Sequence, residues 1–201
     1  DRRRSGRGLA MGPEGYRRAR WAMGLARQLR LPLVTIVDTP GARVTAESEE
    51  GGLAAEISAC LAEMTALPSP TLCVLLGEGG GGGALALVPA DRVVAAQHAW
   101  LAPIHPEGAS AILHRSIERA SEVAASQPVA SWDLAAAGVV DVVVPELPSA
   151  DREREPFVDR VVQAVGQELA LLLGQEKGDR LAARRERYRR IGASGSGAAG
   201  P

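Results

Sequence analysis

The chain has 201 residues, 46% of them apolar, and a formal net charge of −1, which suits one globular domain with its own core. With charge near zero, one Phe and two Tyr, it lacks the electrostatic footprint and the stacking platforms of a nucleic-acid binder. Cys60 and Cys73 lie in apolar patterns without zinc or disulfide spacing, and with neither a signal peptide nor a long apolar span the expected location is cytoplasmic.

Residues 1–12 open without a methionine, are basic and glycine-rich, and are expected to be a flexible segment. From Glu14 to Arg30 the spacing of Ala19, Met23, Ala26 and Leu29 predicts a helix. Its Arg17, Arg18, Arg20 and Arg27 read as a solvated face, with acyl-CoA phosphates as a lesser alternative. Residues 31–37 form an apolar run that predicts a buried strand ending at Asp38-Thr39-Pro40-Gly41-Ala42. After a polar loop, Leu53, Ile57, Leu61 and Met64 mark a second helix, closed by Pro68 and Pro70.

A second buried strand, 71–76, leads into Gly77-Glu78-Gly79-Gly80-Gly81-Gly82-Gly83-Ala84. Such a run lets a ligand reach the backbone, and backbone N–H groups at a helix start attract anions. A P-loop would need Lys and Ser/Thr after the last glycine, yet Gly83 and Ala84 stand there and the sole lysine is Lys177. A dinucleotide fingerprint matches Gly77-x-Gly79-x-x-Gly82, but the next strand ends in His98 instead of an acid. A linker would be solvated, whereas this run lies between apolar segments. The favoured reading is a loop whose N–H groups hold a developing oxyanion.

Further strands are predicted at 92–97 and 100–104, and Pro106-Glu107-Gly108 opens a helix toward Leu113. Ser131 is placed to N-cap a short helix that Gly138 stops. Residues 139–144 read as a last strand and 154–173 as a long amphipathic helix. The basic stretch 180–190 is a helix or tail, and 192–201 is expected to be disordered. Alternating strands and helices predict an α/β domain over 13–175 with largely parallel pairing, followed by a basic helix and disordered tail over 176–201. Both candidate loops lie at carboxyl ends of strands, where open α/β sheets bind ligands.

Four motifs together resemble one family: Pro13-Glu14-Gly15-Tyr16-Arg17-Arg18-Ala19, Asp38-Thr39-Pro40-Gly41-Ala42, the glycine run through Ala86, and Pro106-Glu107-Gly108-x-Ser110-Ala111-Ile112-Leu113. In this order they resemble the carboxyltransferase α subunit of bacterial acetyl-CoA carboxylase, over residues 11–147. Arg187-Tyr188-Arg189-Arg190 is similar to that family's basic C-terminal end. The resemblance implies a crotonase-like fold with a β-β-α spiral core and an enzyme of fatty acid biosynthesis. It would move a carboxyl group from carboxybiotin to acetyl-CoA, or a short acyl-CoA, giving malonyl-CoA. Biotin would be the cofactor, borne on a biotin carboxyl carrier protein. A β-type subunit or domain would complete the acyl-CoA side of the site in an oligomer.

By the same resemblance Gly82 and Gly83 stabilise the ureido oxygen of biotin, with peptide N–H groups at Gly41 and Ala42 contributing. Residues Gly81, Gly82, Gly83, Ala84, Pro106, Glu107 and Gly108 form the cofactor-binding set. The sequence departs from the family at Gly81, usually Ser, and at Arg43-Val44-Thr45, usually aromatic, proline and glycine. Two alternatives stand beside this reading: a malonate decarboxylase γ-type subunit working without biotin, and a non-catalytic assembly subunit of the same fold.

Among other candidates, His98, His105 and His114 are too dispersed for a metal triad and read as ordinary, partly exposed residues. His105 stands out only for its place beside Pro106. Glu78 reads as a carboxylate that accepts loop N–H bonds, with a general base as the alternative. Glu107 reads equally as a helix cap.

Overall fold

In the computed structural model residues 10–191 are described, and the expectations for residues 1–9 and 192–201 fall outside them. Helix α1 (Pro13–Leu29) starts at a proline, whose fixed φ suits the first helical turn. It leads to β1 (Leu33–Thr39), the short α2 (Ala46–Glu50) and α3 (Leu53–Ala66). β2 (Thr71–Gly80) runs directly into α4 (Gly81–Leu85). Next come β3 (Arg92–Ala96), β4 (Trp100–Ala102), α5 (Pro106–His114), α6 (Ala120–Ser126) and α7 (Ser131–Ala136). The chain closes with β5 (Val142–Val144), α8 (Arg154–Leu173) and α9 (Lys177–Arg190).

Among the described residues all the strand pairs are parallel, in the order β1-β2-β3-β5, with β4 beside β2. β2 is the spine. Residues 72–75 pair with β3, while Glu78, Gly79 and Gly80 pair with Trp100, Leu101 and Ala102 of β4. The strand changes partner at Leu76–Gly77, and its register with β1 shifts at the same level, between Val37 and Thr39. A Cβ at Gly77 would come within 2.5 Å of Asp38 Oδ1, so glycine leaves room for the carboxylate that accepts from Glu78 N and ties β1 to β2 at this level.

Five consecutive residues, 71–75, are buried, as expected of a central strand covered on both faces. The core joins Met23 of α1, Leu53, Cys60 and Met64 of α3, Leu72 and Leu75 of β2, Val93 and Val94 of β3, and Phe157 and Leu172 of α8. Cys60 and Cys73 are free and buried, and burial pushes their thiols up to about 11 and about 12. No helix among the described residues is long and apolar enough to cross a membrane.

Several expectations are corrected. The glycine run is not a loop: Gly77 to Gly80 finish β2 and Gly81 begins α4. The last strand covers only Val142–Val144 of the expected 139–144, and the fourth only Trp100–Ala102. Ser131 is not the cap of α7. Ala130 holds that place, and Ser131 Oγ donates to Gln97 O at 2.6 Å. Gly138 does end this stretch, in the left-handed region at φ 76°. Leu29 is 60% exposed, and the buried stripe of α1 passes instead through Tyr16, Met23 and Ala26. Residues 11 and 12 are held: Met11 N donates to Gly41 O at 3.1 Å, Arg43 N donates to Met11 O at 2.9 Å, and Gly12 caps α1.

The arginines of α1 are not simply a solvated face. Arg17 Nε donates to Glu56 at 2.8 Å, and Arg20 reaches Glu63 at 2.7 Å and Glu56 at 2.9 Å, fastening α1 to α3. The basic C-terminal stretch docks in the same way. Arg184 makes a two-pronged bond to the buried Asp91 at 2.8 and 2.6 Å, and its Nη1 donates to Met64 O and Leu67 O. One buried guanidinium thus satisfies carbonyls orphaned at the end of α3. Asp91 in turn accepts from Thr71 N and Oγ1, fixing the start of β2.

Candidate functional site

Three segments meet at the end of β2. The first is the turn after β1. Gly41 has φ +131°, a conformation L side chains rarely adopt, and a Cβ there would stand 2.9 Å from Gly80 O. The second is the strand-to-helix junction, Gly80 to Gly83. A Cβ on Gly80 would overlap both Pro40 O and His105 Nε2, and one on Gly83 would overlap the Tyr16 hydroxyl and stand 2.7 Å from Ala42 N. The third is residues 103–105, ahead of α5. Pro103 O is 3.8 Å from where a Gly81 Cβ would sit, and His105 Nε2 is hydrogen-bonded to Pro40 O. Backbone packing therefore calls for glycine at Gly41, Gly80 and Gly83, and also at Gly79, where a Cβ would stand 2.8 Å from Trp100 O.

Gly82 differs. It is exposed, and a Cβ would meet only Ile57 Cγ2, at 3.9 Å. Being in the first turn of α4, which no side chain caps, its N–H has no intrahelical acceptor. This is where a ligand can touch backbone. Ala84 is buried behind it in the core.

The turn is pinned in detail. Gly41 N donates to Thr39 Oγ1 at 3.1 Å, so this N–H is engaged within the turn. Gly41 O accepts from Met11 N at 3.1 Å and from Thr39 Oγ1 at 3.2 Å. The bridge between Met11 and Ala42 uses the Gly41 carbonyl and the Arg43 N–H, and leaves the Ala42 N–H out. Of the four peptide groups singled out in the sequence, Gly82 is exposed, Ala42 is half-buried with its N packed against Gly83, Gly83 is buried, and Gly41 has its N–H engaged and contributes the φ that shapes the turn.

The carboxylate that holds the glycine run is Asp38, whose Oδ1 accepts from Glu78 N at 3.0 Å. Glu78 itself is exposed. Glu107 lies in the first turn of α5 and is exposed, but no side chain caps that helix. Pro106 and Gly108 follow His105 directly, with a Gly108 Cβ position 3.1 Å from Ile104 Cγ2. Arg43, where the sequence departs from the family pattern, pairs with Glu14 at 2.7 Å and so ties the turn to the start of α1.

Two residues gain importance that the sequence alone did not give them. Tyr16 is fully buried, its hydroxyl has no hydrogen-bond partner among the described residues, and burial, with a smaller effect from Cys60, pushes it up to about 12. His105 touches both the turn and the glycine junction. Its position beside the Pro106-Glu107-Gly108 motif was the one available signal. His98 lies apart, its Nδ1 3.2 Å from Glu146 Oε2.

The chain was compared with known proteins. The family model described as acetyl co-enzyme A carboxylase carboxyltransferase-like matches residues 3–192. The chain is 49% identical over 187 residues to a probable biotin-dependent acyl-coenzyme A carboxylase beta3 subunit of Mycobacterium tuberculosis, covering 93% of this chain and 38% of that one. It is 42% identical over 181 residues to the acetyl-coenzyme A carboxylase carboxyl transferase subunit alpha of Rubrobacter xylanophilus, covering 90% of this chain and 57% of that one. The chain thus spans about two fifths and three fifths of these two relatives. Among solved structures, a Pseudomonas malonate decarboxylase hetero-tetramer in complex with coenzyme A superposes with a TM-score of 0.72 at 21% identity, covering 92% of this chain and 78% of that one. The fold is the crotonase-like one that the four motifs implied.

Proposed function

Because the chain belongs to the acetyl co-enzyme A carboxylase carboxyltransferase-like family, we propose that it is the α-type half of a biotin-dependent acyl-CoA carboxyltransferase, acting on acetyl-CoA or a short acyl-CoA in the cytoplasm. The observation that carries this is the seating of the Gly41–Ala42 turn on the Gly80–Gly83 junction, with Gly82 left open. Neutral N–H donors on a backbone that cannot relax suit an oxyanion that appears only during reaction.

The site fits biotin. Its donors are peptide N–H groups, and the space above Gly82 is one that any side chain would fill. When bound on its carrier, biotin supplies the carboxyl group and a ureido oxygen that accepts hydrogen bonds. Gly82 and Gly83 would hold that oxygen through their N–H groups, with the Ala42 N–H contributing. Each well-placed donor contributes about 3–4 kcal/mol to the transition state. Gly81, Pro106, Glu107 and Gly108 line the approach; Ala84, expected there from the sequence, is instead fully buried in the core. A β-type partner supplies the remainder of the acyl-CoA site. The surface it would cover includes Ile112, Leu113, Ile117 and Trp132, each at least 60% exposed.

The test is malonyl-CoA consumption by the complex with its β-type partner, with and without biocytin. Consumption is expected only when biocytin is present. Equal rates without it would replace this reading with a biotin-free malonyl decarboxylase, and no consumption in either case would favour an assembly role.

A further inference from the structure

The Pro40–Gly41 peptide is gripped at both ends. Its N–H donates to Thr39 Oγ1 at 3.1 Å, and its carbonyl is hydrogen-bonded to His105 Nε2. The next peptide, Gly41–Ala42, has its carbonyl fixed by Met11 N and Thr39 Oγ1. Two pinned planes around a glycine at φ +131° determine where the Ala42 N–H points. Three of the four restraints come from residues close to the turn in sequence or from the bridge at Met11. The fourth comes from His105, 65 residues away.

His105 is itself held in place. Its carbonyl accepts from Ala109 N at 2.9 Å, making it the N-cap residue of α5. Its ring stands edge-on to Trp100, with centroids 5.4 Å apart and planes at 81°. Trp100 belongs to β4, which pairs with the last residues of β2. Gly80 has no side chain at the point where one would overlap the Pro40 carbonyl and the His105 ring. The imidazole thus links the Pro106-Glu107-Gly108 helix, the end of β2 and the donor turn.

We infer that His105 is a positioning residue of the oxyanion site: its Nε2–H holds the Pro40 carbonyl and thereby aims the Ala42 N–H. This rests on the carboxyltransferase reading. It requires the Nε2–H form of the ring, since a carbonyl can only accept. It also separates glutamine, whose amide nitrogen stands near the Nε2 position, from asparagine, whose amide nitrogen reaches only the Nδ1 position.

The test has two parts. In the full chain labelled with ¹⁵N-histidine, long-range ¹H–¹⁵N correlations, assigned by loss of the signal in His105→Gln, should show His105 protonated at Nε2. A neutral Nδ1–H ring would overturn the inference, whatever the enzyme does. In the complex with the β-type partner, His105→Asn and His105→Phe should lower kcat by about 10- to 100-fold, the effect of a donor displaced by roughly an ångström. His105→Gln should retain kcat within about 3-fold, with KM similar in all three variants. Equal kcat in the Asn and Gln variants would also overturn it. Loss of every activity in the wild-type complex would count against the carboxyltransferase reading and leave the tautomer measurement to decide the clamp.

Discussion

Replacing Gly82 with alanine should make the protein slightly more stable and much less active. Gly82 lies in α4, its φ is outside the left-handed region, and an added methyl meets nothing nearer than Ile57 Cγ2 at 3.9 Å. Alanine in a helix is favoured over glycine by about 0.5–1 kcal/mol, part of it from a less free unfolded chain. The same methyl stands where a ligand oxygen must approach the N–H. Misplacing one oxyanion donor lowers turnover by about 100-fold, or about 2.7 kcal/mol at 25 °C. Thermal unfolding of the chain and carboxyl transfer by the complex with its β-type partner would be measured side by side. An alanine variant as stable as wild type with turnover within about 3-fold of it would refute the assignment of Gly82. Gly83 is not an equivalent probe, because its Cβ would overlap the Tyr16 hydroxyl and come within 2.9 Å of the Gly41 carbonyl carbon. Loss of activity there would mix chemistry with folding.

Arg184→Ala should leave the buried Asp91 with Arg180, whose Nε stands 3.3 Å from Oδ2, as its remaining cation, and destabilise the protein by about 3 kcal/mol, the lower end for a broken buried pair, a Tm drop of about 6–12 °C for a domain of this size; a drop under about 3 °C would show that the Arg184 clasp is not what holds the base of the sheet. Tyr16→Phe should raise stability by about 1 kcal/mol, because it removes a buried hydroxyl without a partner; a fall in Tm would mean that the hydroxyl finds a partner in solution. Burial alone would raise the Glu146 carboxyl, but bonds from Ala150 N–H, His98 N–H and the His98 ring outweigh it and hold it below its ordinary 4.5. A depressed folded value means the stabilisation is complete above about pH 4.5 and is lost as pH falls through the folded value. The difference in urea midpoint between wild type and Glu146→Gln should therefore shrink from pH 7 toward pH 3, and a constant difference would contradict this.

What the sequence determined by itself was local. The helical spacing of Leu53, Ile57, Leu61 and Met64 gave α3, although Leu61 lies exposed; the apolar block 71–75 gave the central strand, Pro13 and Gly138 marked a helix start and stop, and four ordered motifs gave the family and its crotonase-like fold. These follow from neighbours along the chain, whose periodicity and backbone preferences are written in residue type. The glycine run was legible as a stretch of backbone open to close approach. Only the tertiary structure could divide that run into a strand end and a helix start, because pairing with Trp100 and Leu101 of β4 decides where β2 stops. Only it could tell which glycines face open space, as at Gly82, and which face another backbone, as at Gly80 and Gly83. The same holds for the polar pairs: His105 meets Pro40 across 65 residues and Arg184 meets Asp91 across 93. A histidine or an arginine looks alike in sequence whether solvated or buried against a carbonyl, since its partner is chosen by the packing of elements that fold far apart in the chain.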